Sequence, residues 1–452
     1  MKTPDPRREG SLDALLQHAF DESASGRLQL RPIEHPAPAG ARAPSRRGNL
    51  PGAPTRHGVL VLTRRDGVLR WESPASAGAF GPGRAGRAAV APGAVVHQFV
   101  FEKLPPSEVR QALNALDLKL APLHTSQPLR RLHGLRDDQH LPLDPVGLQG
   151  LARKHVLLFI HGSFSKGDMF REELAGAPDD AGGKFLAASL KKYDAVLTFD
   201  HPTVGAGPAM NAFDLAALLK AAPAAVDVVA HSRGGLVTRW WFEGFADPRT
   251  RLRAVLVGSP LAGTSLAAPA RLRSALNLLS NVAEVLQTAA SLAAAVPLMT
   301  AAGVLMGILR SVTGLASNTP LIDAAVAMIP GLDAQSRAGT NGEIARLRQN
   351  TGRAGLEYFA VQSDFVPASP GWAFWRYFVK PLLHLGHAGA DLVFEDKNDL
   401  VVDTSSMTEL ADEMTLPARR VLDFGTNPTV HHTNYFRQTK TIQFIRDSFG
   451  IG

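Results

Sequence analysis

Twelve residues decide the fold: VDVVAHSRGGLV, from Val226 to Val237. The first five are apolar apart from Asp227 and rich in β-branched side chains, a pattern that predicts a buried strand. The stretch then passes through a small residue, one variable residue, Ser232, Arg233 and a glycine, and runs directly into a helix-forming sequence. This order predicts a strand, a sharp turn and a helix, with the hydroxyl of Ser232 at the turn.

The turn explains which residue types flank the serine. In so sharp a turn the flanking positions approach each other closely, so Ala230 and Gly234 must be small, and the serine between them is strained. Ser232 also precedes a helix, whose free amides and dipole favour negative charge. The pattern is typical of a nucleophilic serine, and a serine that only caps the helix is the alternative.

A second motif is VLLFIHGSF, from Val156 to Phe164, an apolar strand that ends in His161 and Gly162. Acyl transfer needs two preorganised N–H donors for the oxygen of the tetrahedral intermediate. One donor follows the nucleophile and the other comes from the loop after this earlier strand, which nominates the backbone amides of Arg233 and Ser163. His161 is expected to shape that loop rather than to act as a base.

With these two motifs the chain resembles the serine hydrolases of the α/β-hydrolase superfamily, in particular bacterial lipases and esterases. VGSPLAGT, from Val257 to Thr264, is similar to the G-[ST]-P-x-x-G-T segment that follows the next strand in many bacterial lipases. The resemblance covers roughly residues 154–449. It implies an α/β-hydrolase fold with a mostly parallel central sheet.

The resemblance also implies a catalytic acid after the nucleophile and then a histidine. Asp399 is favoured as the acid, because NDLVV, residues 398–402, is similar to the Asn-Asp-Gly-x-Val segment of bacterial lipases, with Leu400 in place of glycine. Asp364, directly after a predicted strand, and Asp403 remain alternatives.

The base is expected in VHHTNYF, from Val430 to Phe436, between the last predicted strand and the last helix. His432 is favoured and His431 is the alternative. By the family's template His432 takes the proton of Ser232 and later protonates the leaving group, while Asp399 fixes the imidazole tautomer. This chemistry requires no cofactor and no metal.

The periodicity of the chain supports this fold class. From His155 onward, short continuous apolar runs alternate with helical patterns, as in a parallel sheet that is buried on both faces. The predicted strands are His155–Ile160, Ala195–Phe199, Val226–Ala230, Arg253–Val257, Leu356–Val361 and Arg420–Phe424. The predicted helices are Lys184–Lys191, Ala212–Leu219, Gly235–Phe245 and Thr439–Ser448.

Composition shifts predict three regions. Residues 1–57 are rich in Pro, Arg and Gly and are expected to form a flexible tail or linker. Residues 58–153 contain strand-like runs and predict a small β-containing domain. Residues 154–452 form the expected hydrolase domain, which is interrupted at about 264–336 by an Ala- and Leu-rich helical cap.

Composition and charge exclude other classes. The 452 residues include no cysteine, which excludes disulfides and thiolate chemistry. The net charge of +7 is spread along the chain without a recognition motif, so no nucleic-acid partner is expected. The N-terminus lacks the pattern of a secretory signal, and the apolar stretch Val296–Leu309 is broken by Pro297, so cytoplasmic residence is the default, with specialised secretion left open.

The expected reaction is hydrolysis of a carboxylic ester through an acyl-enzyme on Ser232. The apolar cap favours an acyl-lipid substrate, and a lipid substrate would bring the chain to a lipid surface. Acyl transfer or amide cleavage on the same residues, and a non-catalytic interaction protein with this fold, remain alternatives.

Overall fold

The computed structural model of this chain describes residues 31–32, 57–65, 67–72, 94–102, 111, 113, 116–118, 131–135, 140–267, 272–288, 301–303, 305–306, 329–337, 341–349, 355–368 and 397–452. Most of the predicted tail, and residues 289–300 and 307–328 of the predicted cap, lie outside these ranges. No helix within the ranges combines the length and the apolar character needed to cross a bilayer.

The strands and helices are numbered in chain order. The strands are β1 Arg31–Pro32, β2 His57–Arg65, β3 Val68–Glu72, β4 Ala94–Glu102, β5 Arg131–Leu135, β6 His140–Pro142, β7 His155–Ile160, β8 Ala195–Asp200, β9 Ala225–His231, β10 Arg251–Val257, β11 Glu357–Phe365, β12 Glu409–Ala411, β13 Met414–Thr415 and β14 Val421–Asn427. The helices are α1 Pro145–Gln149, α2 Met169–Ala175, α3 Ala181–Lys192, α4 Pro208–Leu218, α5 Gly234–Trp240, α6 Leu272–Thr288, α7 Pro330–Asp333, α8 Gly342–Arg348 and α9 Thr439–Phe449. A π-helical turn, Trp241–Phe245, continues α5.

The chain divides into two compact units. The first comprises Met1–Ala112, Arg273–Met328 and Gly371–Trp375. The second comprises Leu113–Leu272, Ile329–Pro370 and Arg376–Gly452. The first unit therefore contains strands β1 to β4 together with nearly all of α6, which belongs to the segment predicted as a cap.

The second unit is built on an eight-stranded sheet with the order β6-β5-β8-β7-β9-β10-β11-β14. From β8 to β14 every neighbouring pair is parallel, whereas β5 pairs antiparallel with both β6 and β8. This order, with an antiparallel strand second from one edge, is that of the α/β-hydrolase fold. The fold class expected from the sequence is confirmed.

The central strands are buried on both faces, which is why they are continuous apolar runs in the sequence. In β7, Leu158 and Ile160 pack into one hydrophobic cluster, and Leu157 and Phe159 pack into a second. Each of the six predicted strands coincides with a strand of this sheet. Parallel strands must end at the same edge, so the loops after β7, β9, β10 and β11 meet there.

Two strands of the sheet precede Lys154, where the sequence analysis starts the hydrolase domain. They are β5, RLHGL, and β6, HLP. Both are short and contain histidine together with glycine or proline, so neither forms a continuous apolar run, and the burial of β5 does not alternate along its five residues. The antiparallel edge of the sheet therefore left no pattern by which it could be recognised.

In the first unit, α6 packs along strand β3 through polar side chains. Asn281 accepts a hydrogen bond from the amide of Leu69 (2.8 Å) and donates to its carbonyl (2.8 Å). Asn277 accepts from the amide of Trp71 (2.9 Å), and Ser280 accepts from the indole N–H of Trp71 (2.8 Å). These buried side chains satisfy backbone groups of β3, which is the last strand in the order β1-β4-β2-β3.

A buried ion pair ties the central strands of the second unit to the last helix. Asp227 on β9 accepts two hydrogen bonds from Arg253 on β10 (2.8 and 2.6 Å) and one from the hydroxyl of Tyr193 (2.7 Å). Arg253 also donates to the carbonyls of Ser448 and Phe449, at the end of α9. The Asp227 side chain is 1% exposed, so this charge depends on its partners for stabilisation.

We expect Asp227→Ala to lower the free energy of unfolding by about 1–3 kcal/mol, because it leaves the partly buried Arg253 and the buried hydroxyl of Tyr193 without their common acceptor. Urea unfolding followed by circular dichroism measures the change. The matched control is Asp247→Ala, which breaks the pair between Asp247 and the exposed Arg249 (2.8 Å) and should change the midpoint far less. Equal midpoints for the two variants would show that the buried pair does not stabilise the fold.

Candidate active site

Ser232 follows the last residue of β9 in a left-handed backbone conformation, with a φ of +54°. Its amide donates to the carbonyl of Val257 at the end of β10 (2.9 Å), and its own carbonyl accepts from Gly235 in the first turn of α5 (2.9 Å). Serine adopts a positive φ rarely and at a cost in free energy. The strand, strained serine and helix are those expected of a nucleophile elbow.

The loop after β7 passes directly beside this serine. A Cβ at Gly162 would lie 2.6 Å from the Cβ of Ser232 and 3.2 Å from its Oγ, so only glycine fits. The next residue is Ser163, the predicted oxyanion donor. Within the described part of the chain, the amides of Ser163 and Arg233 donate to no acceptor. Two free donors near a serine are what stabilisation of an oxyanion requires.

The buried side chain of His161 fixes the conformation of the loop after β7. It is 1% exposed, and its Nε2 accepts a hydrogen bond from the amide of His201 (3.3 Å). The proton must therefore be on Nδ1, which lies 3.0 Å from the carbonyl oxygen of Gly162 and donates to it. Asp200 holds the far end of the loop by accepting from the amide of Gly167 (2.6 Å).

The structure brings the favoured acid and base together. The Nδ1 of His432 lies 2.8 Å from the Oδ2 of Asp399, and the His432 amide donates to the Asp399 carbonyl (2.9 Å). The Oδ1 of Asp399 accepts from the amides of Val401 (3.1 Å) and Val402 (2.8 Å). Because a carboxylate only accepts, His432 donates from Nδ1, and its Nε2 is left as the basic nitrogen.

Each of the three favoured residues lies close to the end of β10. Gly258 has a φ of +55°, and a Cβ there would lie 3.0 Å from the Oδ2 of Asp399 and 3.3 Å from the Nδ1 of His432. The residue before it, Val257, is the one whose carbonyl accepts from the Ser232 amide. The glycine of the GSP segment thus leaves room for the acid and base beside the strand that holds the serine.

The alternative acids lie in other contacts. Asp364 accepts from the hydroxyl of Thr426 (2.5 Å) and lies 3.9 Å from the Nζ of Lys397. Asp403 accepts from the amide (2.8 Å) and the hydroxyl (3.0 Å) of Ser265. Their carboxylates are therefore used to hold neighbouring segments of backbone and side chain.

The alternative base, His431, is directed to its own turn. Its Nδ1 lies 3.1 Å from the hydroxyl of Thr433, and its ring packs edge-on against Phe365. Burial lowers the pKa of His431 to about 4, so the ring is neutral near pH 7. The contact with Asp399 is made by His432.

Sequence reasoning missed two residues that contact the candidate acid and base. The Nε2 of His231 donates to the carbonyl of His432 (2.8 Å), which links the elbow to the segment that carries the base. Burial, and then the charge of His432, lower the pKa of His231 to about 3, so it donates as a neutral ring. The hydroxyl of Tyr435 donates to the Oδ2 of Asp399 (2.9 Å).

The side chain of Arg233 has a structural role beside that of its amide. Its guanidinium is fully buried and donates to the carbonyl of Ala206 (2.5 Å). Ala206 belongs to the loop between β8 and α4. Asp117 binds this loop as well, because its carboxylate accepts from the amides of Thr203, Val204 and Gly205 (2.8, 2.9 and 2.6 Å). Burial lowers the pKa of Arg233 to about 10, so the side chain is cationic near pH 7.

No group of three or more His, Asp and Glu side chains that could hold a metal ion occurs among the described residues. The candidate site consists of Ser232, Asp399, His432 and the backbone amides of Ser163 and Arg233.

Several solved structures are similar to this chain at low identity. A Bacillus licheniformis lipase in its mature form is 16% identical, with a TM-score of 0.35, over 67% of this chain and 91% of that one. Lipase 1 from Pelosinus fermentans is 13% identical, with a TM-score of 0.40, over 65% and 98%. A thermophilic esterase from Thermogutta terrifontis is 12% identical, with a TM-score of 0.31, over 65% and 89%. Likeness at this level carries no information on substrate.

No curated protein sequence matches the chain. The model of one family, described as Domain of unknown function (DUF7379), matches residues 130–450. The match begins just before β5 and includes every strand of the eight-stranded sheet. Because it spans more than half of the sequence, the chain belongs to this family.

Proposed function

We propose that this protein is a serine hydrolase that cleaves carboxylic esters through an acyl-enzyme on Ser232. The observation that carries the proposal is the buried contact of 2.8 Å between His432 and Asp399, beside the strained turn of Ser232. A histidine held in this tautomer presents a basic nitrogen, which is what activation of a serine hydroxyl requires.

In the first half of the reaction, the Oγ of Ser232 attacks the ester carbonyl while the Nε2 of His432 takes the hydroxyl proton. The carbonyl oxygen becomes negative and accepts hydrogen bonds from the amides of Ser163 and Arg233. When the intermediate collapses, the C–O bond to the leaving alcohol breaks and His432 protonates that alcohol. The product is an acyl-serine ester.

In the second half, water takes the place of the alcohol. His432 removes a proton from the water, whose oxygen attacks the acyl carbon, and the bond to the Oγ of Ser232 breaks. The proton returns to Ser232 and the carboxylic acid leaves. Asp399 stays ionised throughout and stabilises the imidazolium that forms in each half.

The finer proposal is an acyl-lipid substrate, supported by the Ala- and Leu-rich composition of residues 264–336. A lipid substrate would also bring the protein to a lipid surface. Amide cleavage and acyl transfer to an alcohol use the same residues, and the measurements below separate them from ester hydrolysis.

The first test asks whether Ser232 is a nucleophile. We expect a fluorophosphonate probe to label the folded protein, with the adduct on Ser232 by mass spectrometry, and we expect no labelling of Ser232→Ala. The matched control is Ser405→Ala, which removes an exposed hydroxyl and should label like the wild type. Wild-type protein that is folded but not labelled would favour a non-catalytic interaction protein.

The second test separates the candidate acids. Asp399→Asn places an amide against the Nδ1 of His432 and favours the wrong tautomer, so we expect kcat to fall on the order of 10⁴-fold with the fold intact. The control is Asp364→Asn, for which we expect a far smaller loss, because Asp364 contacts Thr426 instead. A loss confined to Asp364→Asn would move the role of acid to Asp364.

The third test concerns the substrate. We expect kcat/KM on p-nitrophenyl esters to rise from acetate toward medium or long acyl chains, and to exceed that on the matching p-nitroanilides. A strong preference for acetate would contradict the acyl-lipid substrate and leave an esterase for small esters. Faster cleavage of the anilides would favour an amidase, and a new ester formed with added alcohol would favour acyl transfer.

A further inference from the structure

One oxygen of Asp399 is shared between two donors. The Oδ2 accepts from the Nδ1 of His432 (2.8 Å) and from the hydroxyl of Tyr435 (2.9 Å). The Oδ1 is occupied by the amides of Val401 and Val402. The tyrosine therefore acts on the same oxygen that stabilises the protonated base.

Tyr435 is held where it must donate. The side chain is fully buried and begins a short 3₁₀ turn three residues after His432, with its hydroxyl 3.9 Å from the sulphur of Met407. Burial, and then the charge of Asp399, raise the pKa of Tyr435 well above its ordinary value. The hydroxyl is thus protonated at every pH at which an esterase works.

We propose that Tyr435 is a positioning residue that weakens the hold of Asp399 on the protonated His432 and so keeps His432 available as a base at lower pH. The inference rests on the proposed function. A hydrogen bond to a carboxylate withdraws negative charge from the accepting oxygen, and less charge on Oδ2 stabilises the imidazolium less. Removing the hydroxyl should therefore favour the protonated form of His432.

The titratable groups around Asp399, His432 and Tyr435 do not obscure a change in the protonation of His432. His231 from the end of β9 and His431 from the same turn are neutral at neutral pH, because burial lowers their pKa values to about 3 and about 4. The other charged groups acting here are Arg437, whose charge acts on His431, and Asp423, whose charge acts on Tyr435. The remaining titratable group is His161, at the start of the loop after β7, which lowers the pKa of His231 when its ring is protonated.

The experiment follows the imidazole of His432 by NMR during a pH titration of the folded protein, with the signal assigned by its absence in His432→Gln. We expect Tyr435→Phe to raise the midpoint by about 0.5–1 pH unit. In active protein the acid limb of kcat/KM should move upward with it, because the base is then protonated at higher pH.

Tyr193→Phe is the matched control. It also removes a buried phenol hydroxyl that donates to a buried carboxylate, that of Asp227, at the opposite end of β9 (2.7 Å). Both variants should lose stability, but only Tyr435→Phe should shift the midpoint. A midpoint unchanged in Tyr435→Phe, or shifted equally in Tyr193→Phe, would overturn the proposal and leave Tyr435 a packing residue.

A second variant covers the case in which Tyr435→Phe does not fold. 3-Fluorotyrosine at position 435 keeps the hydroxyl and makes it a stronger donor, so the midpoint should fall; a midpoint that stays or rises overturns the proposal. The NMR measurement needs no turnover, so it tests Tyr435 even if the fluorophosphonate probe fails to label Ser232. Failure of labelling contradicts the proposed function alone.

Discussion

The backbone of Ser232 is held at a φ of +54°, a conformation that costs a residue with a side chain about 1–3 kcal/mol unless its surroundings enforce it. Three contacts enforce it here: the amide is bonded to Val257, the carbonyl is bonded to Gly235, and Gly162 packs against the side chain. These contacts come from β10, α5 and the loop after β7, which are the neighbours that a parallel sheet gives to the end of β9. The candidate acid lies between β11 and β12 and the candidate base follows β14, and both lie beside Gly258 at the end of β10.

Two histidines support the two sides of this turn in the same way. His161 donates to the carbonyl of Gly162, beside the candidate oxyanion donor Ser163, and His231 donates to the carbonyl of the candidate base His432. Each stands at the end of a central strand and uses one ring nitrogen to fix the loop that faces the serine. A side chain that holds a backbone carbonyl can set the position of a neighbouring catalytic group without taking part in proton transfer. Such residues resemble catalytic bases by type, and only their geometry separates them.

The local sequence pattern was sufficient to predict the central strands of the large sheet and the turn at Ser232. The strands from β7 to β11 and the turn at Ser232 are short, regular and largely buried, so their residue types follow from their positions. The pairing of Asp399 with His432 was predicted from the order of acid and histidine in the family that the chain resembles. No periodicity connects two residues that are 33 positions apart. The contact of His231 with His432, 201 residues apart, leaves no trace in either segment. Strands β5 and β6 escaped notice because an edge needs no continuous apolar run, and the α6 sequence reveals a helix but not which strand its asparagines face.

The polar side chains of α6 affect whether β3 can pair with a strand from another copy of the chain. Among the described residues, β3 is the edge strand of the four-stranded sheet, and the backbone of an edge strand can pair with a strand from another chain. Asn277 and Asn281 occupy the backbone groups of Leu69 and Trp71 that such a strand would use. An incoming strand would have to displace these amides and dislodge the helix before it could pair. The helix thus protects this edge against aggregation, with side chains in the role that charged residues or prolines fill on other exposed edges.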